Sequence, residues 1–197
     1  TGAGGASDVV VAAARPAGGI IPSNQPSRQL SDLPKDELEN LAEEYGLRMR
    51  FHPHADYHVE TQAQTERFLE ETDPAYVSLC LDTGHLAYRR ADVPAVIRKY
   101  PDRIGYVHIK QMDPAIADRA VAEDMPFGQA VALGASVEPP AGLPDVPSVL
   151  QALGEVDAEL FVVVEQDMYP VDFDRPLPIA TRTRQYLNSV GLSARRR

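Results

Sequence analysis

Short apolar runs alternate with amphipathic stretches along most of the chain. A compact apolar or β-branched run bounded by turn residues predicts a buried strand, whereas apolar residues spaced three or four positions apart predict a helix. The predicted strands are residues 9–14, 47–51, 76–81, 103–110 and 160–164, with a short sixth one at 136–138. The predicted helices are residues 36–45, 61–71, 93–100, 115–122, 127–133, 149–153 and 179–190.

The alternation of strands with helices predicts an α/β fold in which a parallel sheet is covered by helices. A closed eight-unit barrel requires about 250 residues, and this chain has 197. We therefore expect a TIM (β/α)8-type barrel that lacks its first βα units in this chain, with residues 1–197 forming one domain. The alternative is an open doubly wound sheet, which needs no missing part.

Composition narrows the classes of protein. Hydrophobic residues make up 44% and charged residues 24% of the chain, which is typical of a soluble globular domain. The formal net charge of −10 argues against a nucleic-acid partner, and no apolar run is long enough to cross a membrane. The Gly-rich start lacks the features of a signal peptide, and the single cysteine, Cys80, excludes an internal disulfide. We therefore expect a cytoplasmic protein, and we interpret Cys80 as a packing residue.

Polar side chains follow four of the predicted strands at the point where each strand ends. They are His52 with His54, Asp82 with His85, His108, and Glu165. Because the carboxyl ends of parallel strands meet at one rim, these side chains are expected to converge. A set of nitrogen and oxygen donors suits Mn²⁺, Co²⁺, Fe²⁺, Zn²⁺ or Mg²⁺. The sequence thus predicts a site for one divalent metal ion.

Two further residues near these strand ends have open roles. Glu60 would join the ligands if the turn over residues 52–60 folds back toward the rim. Lys110 lies two residues beyond His108 and points to the same side if the strand continues. Its ammonium group would then form a salt bridge on the rim or bind a substrate oxygen.

These motifs resemble the xylose-isomerase-like sugar isomerase and epimerase superfamily, and within it the inosose dehydratase branch. The resemblance covers about residues 45–190. It rests on Phe51-His52-Pro53-His54 followed by Val59-Glu60-Thr61, Leu81-Asp82-Thr83-Gly84-His85, Asp102-Arg103-Ile104, Val107-His108-Ile109-Lys110 and Val163-Val164-Glu165-Gln166-Asp167. Two positions depart from the branch: Gln111 follows Lys110 where Asp is expected, and Tyr57 stands where Thr is more usual.

The resemblance implies a TIM barrel with one divalent metal ion held by Asp82, His108, Glu165 and an acidic residue of the 52–60 segment. Glu60 is the first choice for that fourth ligand. Relatives whose corresponding strand ends directly in Glu would place it at His52 instead. The superfamily also implies that the first barrel strands are missing from this chain.

The implied activity is metal-dependent dehydration of a keto-polyol such as 2-keto-myo-inositol through a metal-stabilised enolate. Glu165 or Glu60 would remove the proton next to the ketone, and His85 or His54 would protonate the departing hydroxyl. Lys110 would bind a substrate oxygen.

Three other functions stay open. A sugar or sugar-phosphate isomerase or epimerase would use the same enolate, an inactive relic would use none of this chemistry, and a DNA-repair endonuclease would need three zinc ions and a basic face. The net charge of −10 disfavours the last. The expected partner is therefore a small keto-sugar or keto-polyol, with homo-oligomerisation left open.

Overall fold

The computed structural model describes residues 8–12, 44–45, 48–156 and 159–192. Its main sheet has five strands: β1 (Asp8–Ala12), β2 (Arg48–His52), β3 (Val77–Asp82), β4 (Ile104–Ile109) and β7 (Val162–Val164). The strands lie in this order across the sheet, and all four neighbouring pairs are parallel. Two shorter strands, β5 (Gln111–Met112) and β6 (Ser136–Val137), form a separate antiparallel pair.

A doubly wound sheet reverses its strand order at a switch point, whereas a barrel adds each new strand on the same side of the previous one. The order β1-β2-β3-β4-β7 contains no reversal. The arrangement is therefore of the barrel type, as predicted, and the doubly wound alternative does not apply.

Seven helices connect these strands in the described part of the chain. They are α1 (Gln62–Glu71), α2 (Thr83–Tyr88), α3 (Val93–Lys99), α4 (Pro114–Glu123), α5 (Phe127–Ala132), α6 (Val146–Leu153) and α7 (Pro176–Ser189). None of the described helices is long and apolar enough to span a membrane. Side-chain caps begin several of them, as at α1, where Thr61 and Gln64 form a reciprocal capping box.

The main apolar core lies between one face of the sheet and the helices. Leu79 and Leu81 of β3 and Val107 and Ile109 of β4 pack there against residues of α1, α3, α6 and α7. Because side chains alternate across a strand, the intervening residues project from the opposite face. That opposite face is the barrel interior, and it carries the polar side chains.

A bulge between β3 and β4 sets the register of this interior face. Leu79 pairs with Ile104, but the next residue, Cys80, pairs with Tyr106, so Gly105 is an extra residue. A Cβ atom at Gly105 would collide with the Ser78 hydroxyl and the Arg50 guanidinium group. Glycine at the bulge therefore leaves room for these two side chains, and the bulge aligns Asp82 with His108.

The predicted elements agree with the structure over most of the described residues. The predicted strand at 9–14 and helix at 36–45 extend beyond them. The small strand at 136–137 pairs with β5 and not with the main sheet. Helix α2 was not predicted, because the sequence Thr-Gly-His-Leu-Ala-Tyr is short and starts with two weak helix formers.

Candidate metal and active site

The carboxyl ends of β3, β4 and β7 bring three of the predicted ligands together. The ligand atoms of Asp82, His108 and Glu165 lie within 4.8 Å of one another. Those of His52, Asp82 and His85 form a second such group. The structure therefore brings together the strand-end residues from which the sequence predicted a metal site.

Asp82 lies at the centre of this cluster and is fully buried. Its Oδ1 accepts hydrogen bonds from the backbone N–H groups of Gly84 (2.8 Å) and His85 (2.9 Å), which caps α2. Its Oδ2 lies 3.3 Å from His52 Nε2 and 3.2 Å from Lys110 Nζ. One carboxylate oxygen thus caps the N-terminus of α2, while the other faces His52 and Lys110.

The cationic surroundings of Asp82 determine its ionisation. Burial alone would raise the pKa of the carboxyl group, but the neighbouring Lys110 ammonium group and the close contacts with His108 and His52 hold the pKa well below its usual value. Asp82 is therefore a carboxylate at neutral pH.

Lys110 is buried among three carboxylates. Its Nζ lies 3.2 Å from Glu165 Oε1 and 2.9 Å from Asp167 Oδ2, in addition to the contact with Asp82. Burial lowers the pKa of the lysine, but the three carboxylates outweigh burial and raise it above its usual value. Lys110 therefore stays charged. The predicted salt bridge is present at the rim, and the ammonium group has almost no exposed surface.

The hydroxyl group of Thr83 holds the Lys110 backbone beside α2. Thr83 Oγ1 accepts a hydrogen bond from Lys110 N–H (2.9 Å) and donates one to the Lys110 carbonyl oxygen (2.7 Å). The sequence pattern did not single out Thr83 or Asp167. Asp167 could have been found by the two-residue alternation that starts at Glu165.

Gly84 makes room for the Lys110 side chain. A Cβ atom at Gly84 would lie 2.5 Å from Lys110 Cδ and 2.7 Å from Lys110 Cβ, so the stem of the lysine would have to move. We expect Gly84→Ala to lower the free energy of unfolding by about 1–3 kcal/mol through overpacking. Denaturant titration followed by circular dichroism measures this change.

Gly128→Ala in α5 is the matched control, because no atom lies within 4 Å of the added Cβ. This substitution should leave the free energy of unfolding unchanged or slightly higher. Equal losses in the two variants would contradict the steric explanation for Gly84.

Two imidazoles in close contact, with their planes tilted by 36°, form one wall of the site. The rings of His54 and His85 lie 3.7 Å apart, and Phe127 packs against both. Burial lowers the pKa of His54 and lowers that of His85 well below its usual value. Both histidines are therefore neutral at neutral pH, and His54 is the more exposed of the two.

The hydrogen bonds of His85 limit what it can do. Its Nε2 lies 3.1 Å from Lys110 Nζ, and its Nδ1 faces the N–H of Ala55 at 3.4 Å. A neutral imidazole has a single acceptor nitrogen, so only one of these approaches is a full hydrogen bond. The shorter one connects His85 to the buried Lys110.

The structure does not bring Glu60 to the metal-ligand cluster. Its Oε2 accepts hydrogen bonds from Arg89 Nε and from the backbone N–H of Asp56, both at 2.7 Å. Arg89 also binds the Asp56 carboxylate at 3.1 Å. The turn after β2 therefore folds toward Arg89 at the end of α2, and Glu60 stabilises that turn. His52, the other predicted position for the fourth ligand, is the one that contacts Asp82.

The donor set fits a divalent metal ion. His108 Nδ1 lies 2.8 Å from Glu165 Oε2 and 3.5 Å from Asp82 Oδ2, yet it is buried without a properly oriented hydrogen bond. The close contacts with Asp82, Cys80 and Glu165 raise the pKa of His108 to about 12. An imidazole that faces two carboxylates in this way can exchange its proton for a metal ion.

Comparisons with known proteins agree with this architecture. A family model described as xylose isomerase-like TIM barrel matches residues 28–189. A protein named inosose dehydratase from Geobacillus thermodenitrificans is 36% identical over 152 residues, covering 77% of this chain and 51% of that protein. The chain therefore spans about half the length of the curated relatives it matches.

Solved structures share the fold at lower sequence identity. The IolI protein with a bound zinc atom superposes with a TM-score of 0.58 at 21% identity, covering 86% of this chain and 59% of that one. The 3-keto-D-glucoside 4-epimerase from E. coli gives a TM-score of 0.55 at 19% identity, covering 78% and 50%. At these identities the likeness concerns the fold alone.

Proposed function

Because the chain belongs to the xylose isomerase-like TIM barrel family, we propose that it acts in the metal-dependent dehydration of a keto-polyol such as 2-keto-myo-inositol. The observation that carries the proposal is the convergence of Asp82, His108 and Glu165 within 4.8 Å at the rim of the sheet. The relatives named inosose dehydratase support the substrate class.

The metal ion would be held by Asp82, His108 and Glu165, with His52 as the fourth ligand. When bound there, a divalent ion supplies a Lewis acid that stabilises negative charge developing on a substrate oxygen. Glu60 is not proposed as a ligand, because its carboxylate is bound by Arg89. His52 is proposed as the fourth ligand because its Nε2 atom lies 3.3 Å from Oδ2 of Asp82, another proposed ligand.

Glu165 is the proposed base. Its side chain is 36% exposed, so it can meet a substrate at the rim. The ion pair with His108 lowers the pKa of Glu165, and nearby Lys110 acts in the same direction. Glu165 is therefore ionised and able to take the proton next to the ketone. Glu60 is not proposed as a base, because its carboxylate is bound by Arg89.

His54 is the proposed carrier of the proton for the departing hydroxyl group. Its Nδ1 donates a hydrogen bond to the Ala55 carbonyl oxygen at 2.7 Å, which leaves Nε2 to take up and release the second proton. Because burial lowers the pKa of His54, its protonated form gives up that proton readily. His85 is fully buried against Lys110, so we assign it to positioning the lysine.

The proposal is tested by incubating the purified protein with 2-keto-myo-inositol and Mn²⁺ or Co²⁺. We expect loss of water and the absorbance of a conjugated dione, and we expect Glu165→Gln to reduce kcat on the order of 10²–10⁴-fold. Glu155→Gln is the matched control, since this exposed carboxylate pairs with Arg98 on the surface. Its kcat should be unchanged.

Two outcomes would replace the proposal. An epimerised or isomerised product without water loss would assign the site to the sugar isomerase and epimerase alternative. No turnover of the keto-polyol by metal-loaded, folded protein would contradict the proposed substrate class.

A further inference from the structure

Cys80 lies on the face of the sheet that carries the polar side chains, opposite its neighbours Leu79 and Leu81. All six residues of β3 are buried, and the neighbours Leu79 and Leu81 belong to the main core cluster. Cys80 belongs to neither of the apolar clusters in the described part of the chain. It projects with Asp82 into the barrel interior, two residues deeper along the strand. The thiol is therefore fully buried on the face that carries the polar side chains.

Two histidines on the flanking strands face the thiol. His52 ends β2 and His108 lies near the end of β4, on either side of β3. Their ring nitrogens and Cys80 Sγ all lie within 4.8 Å of one another. One sulfur and two imidazoles are thus assembled from three adjacent strands.

His52 gives a second, independent sign of a ligand at this position. Its side chain is only 4% exposed, and Nε2 is committed to Asp82 Oδ2. The other nitrogen, Nδ1, is buried without a hydrogen-bond partner. A buried polar atom without a partner is costly and rare in folded proteins, and an imidazole nitrogen left in this way is free to bind an ion.

We propose that His52, Cys80 and His108 form a second metal-binding set that takes a soft divalent ion such as zinc or cadmium. A thiolate with two imidazoles favours softer ions, whereas the carboxylates of the rim site suit harder ones. Binding breaks the S–H bond of Cys80 and an N–H bond of the protonated His108, releases both protons to solvent and forms metal–sulfur and metal–nitrogen bonds, with no change of oxidation state.

The two metal sets exclude each other, because both use His52 and His108. A soft ion at the deeper position removes the His108 imidazole from Asp82 and Glu165 at the rim. Soft ions are therefore inhibitors of any activity that depends on the rim site. The deeper site itself does not rest on the proposed dehydratase function.

Titration of the chelator-treated protein with Cd²⁺ tests the site directly. We expect an ultraviolet thiolate-to-metal charge-transfer band that saturates at one equivalent and is lost in Cys80→Ser. Glu165→Gln is the matched control: it removes a rim ligand but leaves the sulfur set intact, so the band should persist. Absence of the band in folded wild-type protein, or its persistence in Cys80→Ser, would overturn the proposal.

X-ray absorption of the zinc-loaded wild-type protein gives a second test that needs no variant. We expect a sulfur scatterer at about 2.3 Å, the usual zinc–sulfur distance. A first shell made only of nitrogen and oxygen would overturn the proposal, and it would do so whether or not the protein dehydrates a keto-polyol.

Discussion

Replacing Asp82 with alanine is expected to lower the free energy of unfolding by about 3–5 kcal/mol, because it leaves buried positive charge without its partner. The Oδ2 atom of Asp82 lies 3.2 Å from Lys110 Nζ, and its Oδ1 atom caps α2 through the N–H groups of Gly84 and His85. Urea unfolding of wild type and variant under identical metal-free conditions measures the difference. Calorimetric titration of the variant should also show loss of metal binding at the rim.

Asp82→Asn separates the two roles of this side chain. Asparagine caps a helix about as well as aspartate does, but it carries no charge. We expect Asp82→Asn to lose metal binding as completely as Asp82→Ala while keeping the part of the stability that comes from the cap, about 1 kcal/mol. If both variants bound metal with wild-type affinity, Asp82 would not be a ligand.

Replacing Lys110 with methionine is expected to lower the free energy of unfolding by about 3–5 kcal/mol at neutral pH. Methionine keeps much of the volume of the stem but removes the charge that Asp82, Glu165 and Asp167 share. The three carboxylates would then repel one another in a buried site. Denaturant unfolding at several pH values measures the effect.

The pH dependence of this loss has a definite sign. The folded-state pKa values of Asp82 and Glu165 are lowered, so each carboxylate contributes stability above its unfolded pKa and loses it as the pH falls through the folded pKa. Lys110 contributes to both shifts. The difference between wild type and Lys110→Met should therefore be largest at neutral pH and shrink below about pH 4.

Lys99→Met is the matched control for Lys110→Met. Lys99 is also paired with carboxylates, Glu66 and Glu70, but its side chain is 51% exposed. Water and salt screen such pairs, so we expect little change in stability.

A divalent ion should also raise the thermal stability of Lys110→Met more than that of the wild type, because it supplies the missing positive charge. Equal losses in the two lysine variants would contradict the assignment of a buried charge network to Lys110.

The convergence of the strand-end residues could be predicted because it depends on direction alone. A parallel strand that ends in Asp82, His108 or Glu165 must present that residue at the same rim as its neighbours. Alternation along β4 predicted in the same way that Lys110 lies on the side of His108. These predictions needed only the hydrophobic pattern and the period of a strand.

The position of Glu60 could not be predicted, because it lies in a turn whose path no periodicity describes. Asp56 adopts a left-handed backbone conformation with φ of 67° and binds Arg89, which draws Glu60 away from the rim. Arg89 is 29 residues further along the chain from Glu60. The histidine neighbours of Cys80 could not be predicted for a related reason: leucines flank it in sequence, but the strand turns it to the opposite face, beside His52 and His108.

By itself the sequence determined the fold family, the direction of the strands and the residues at their carboxyl ends. Strand period and motif spacing are local properties of the chain, so they can be read without coordinates. Only the tertiary structure decided which side chains contact one another: Lys110 contacts three carboxylates, Glu60 contacts Arg89, and Cys80 lies beside two histidines. These partnerships join residues from separate elements, and they depend on a bulge at Gly105 and on turns whose geometry arises only when the elements pack together.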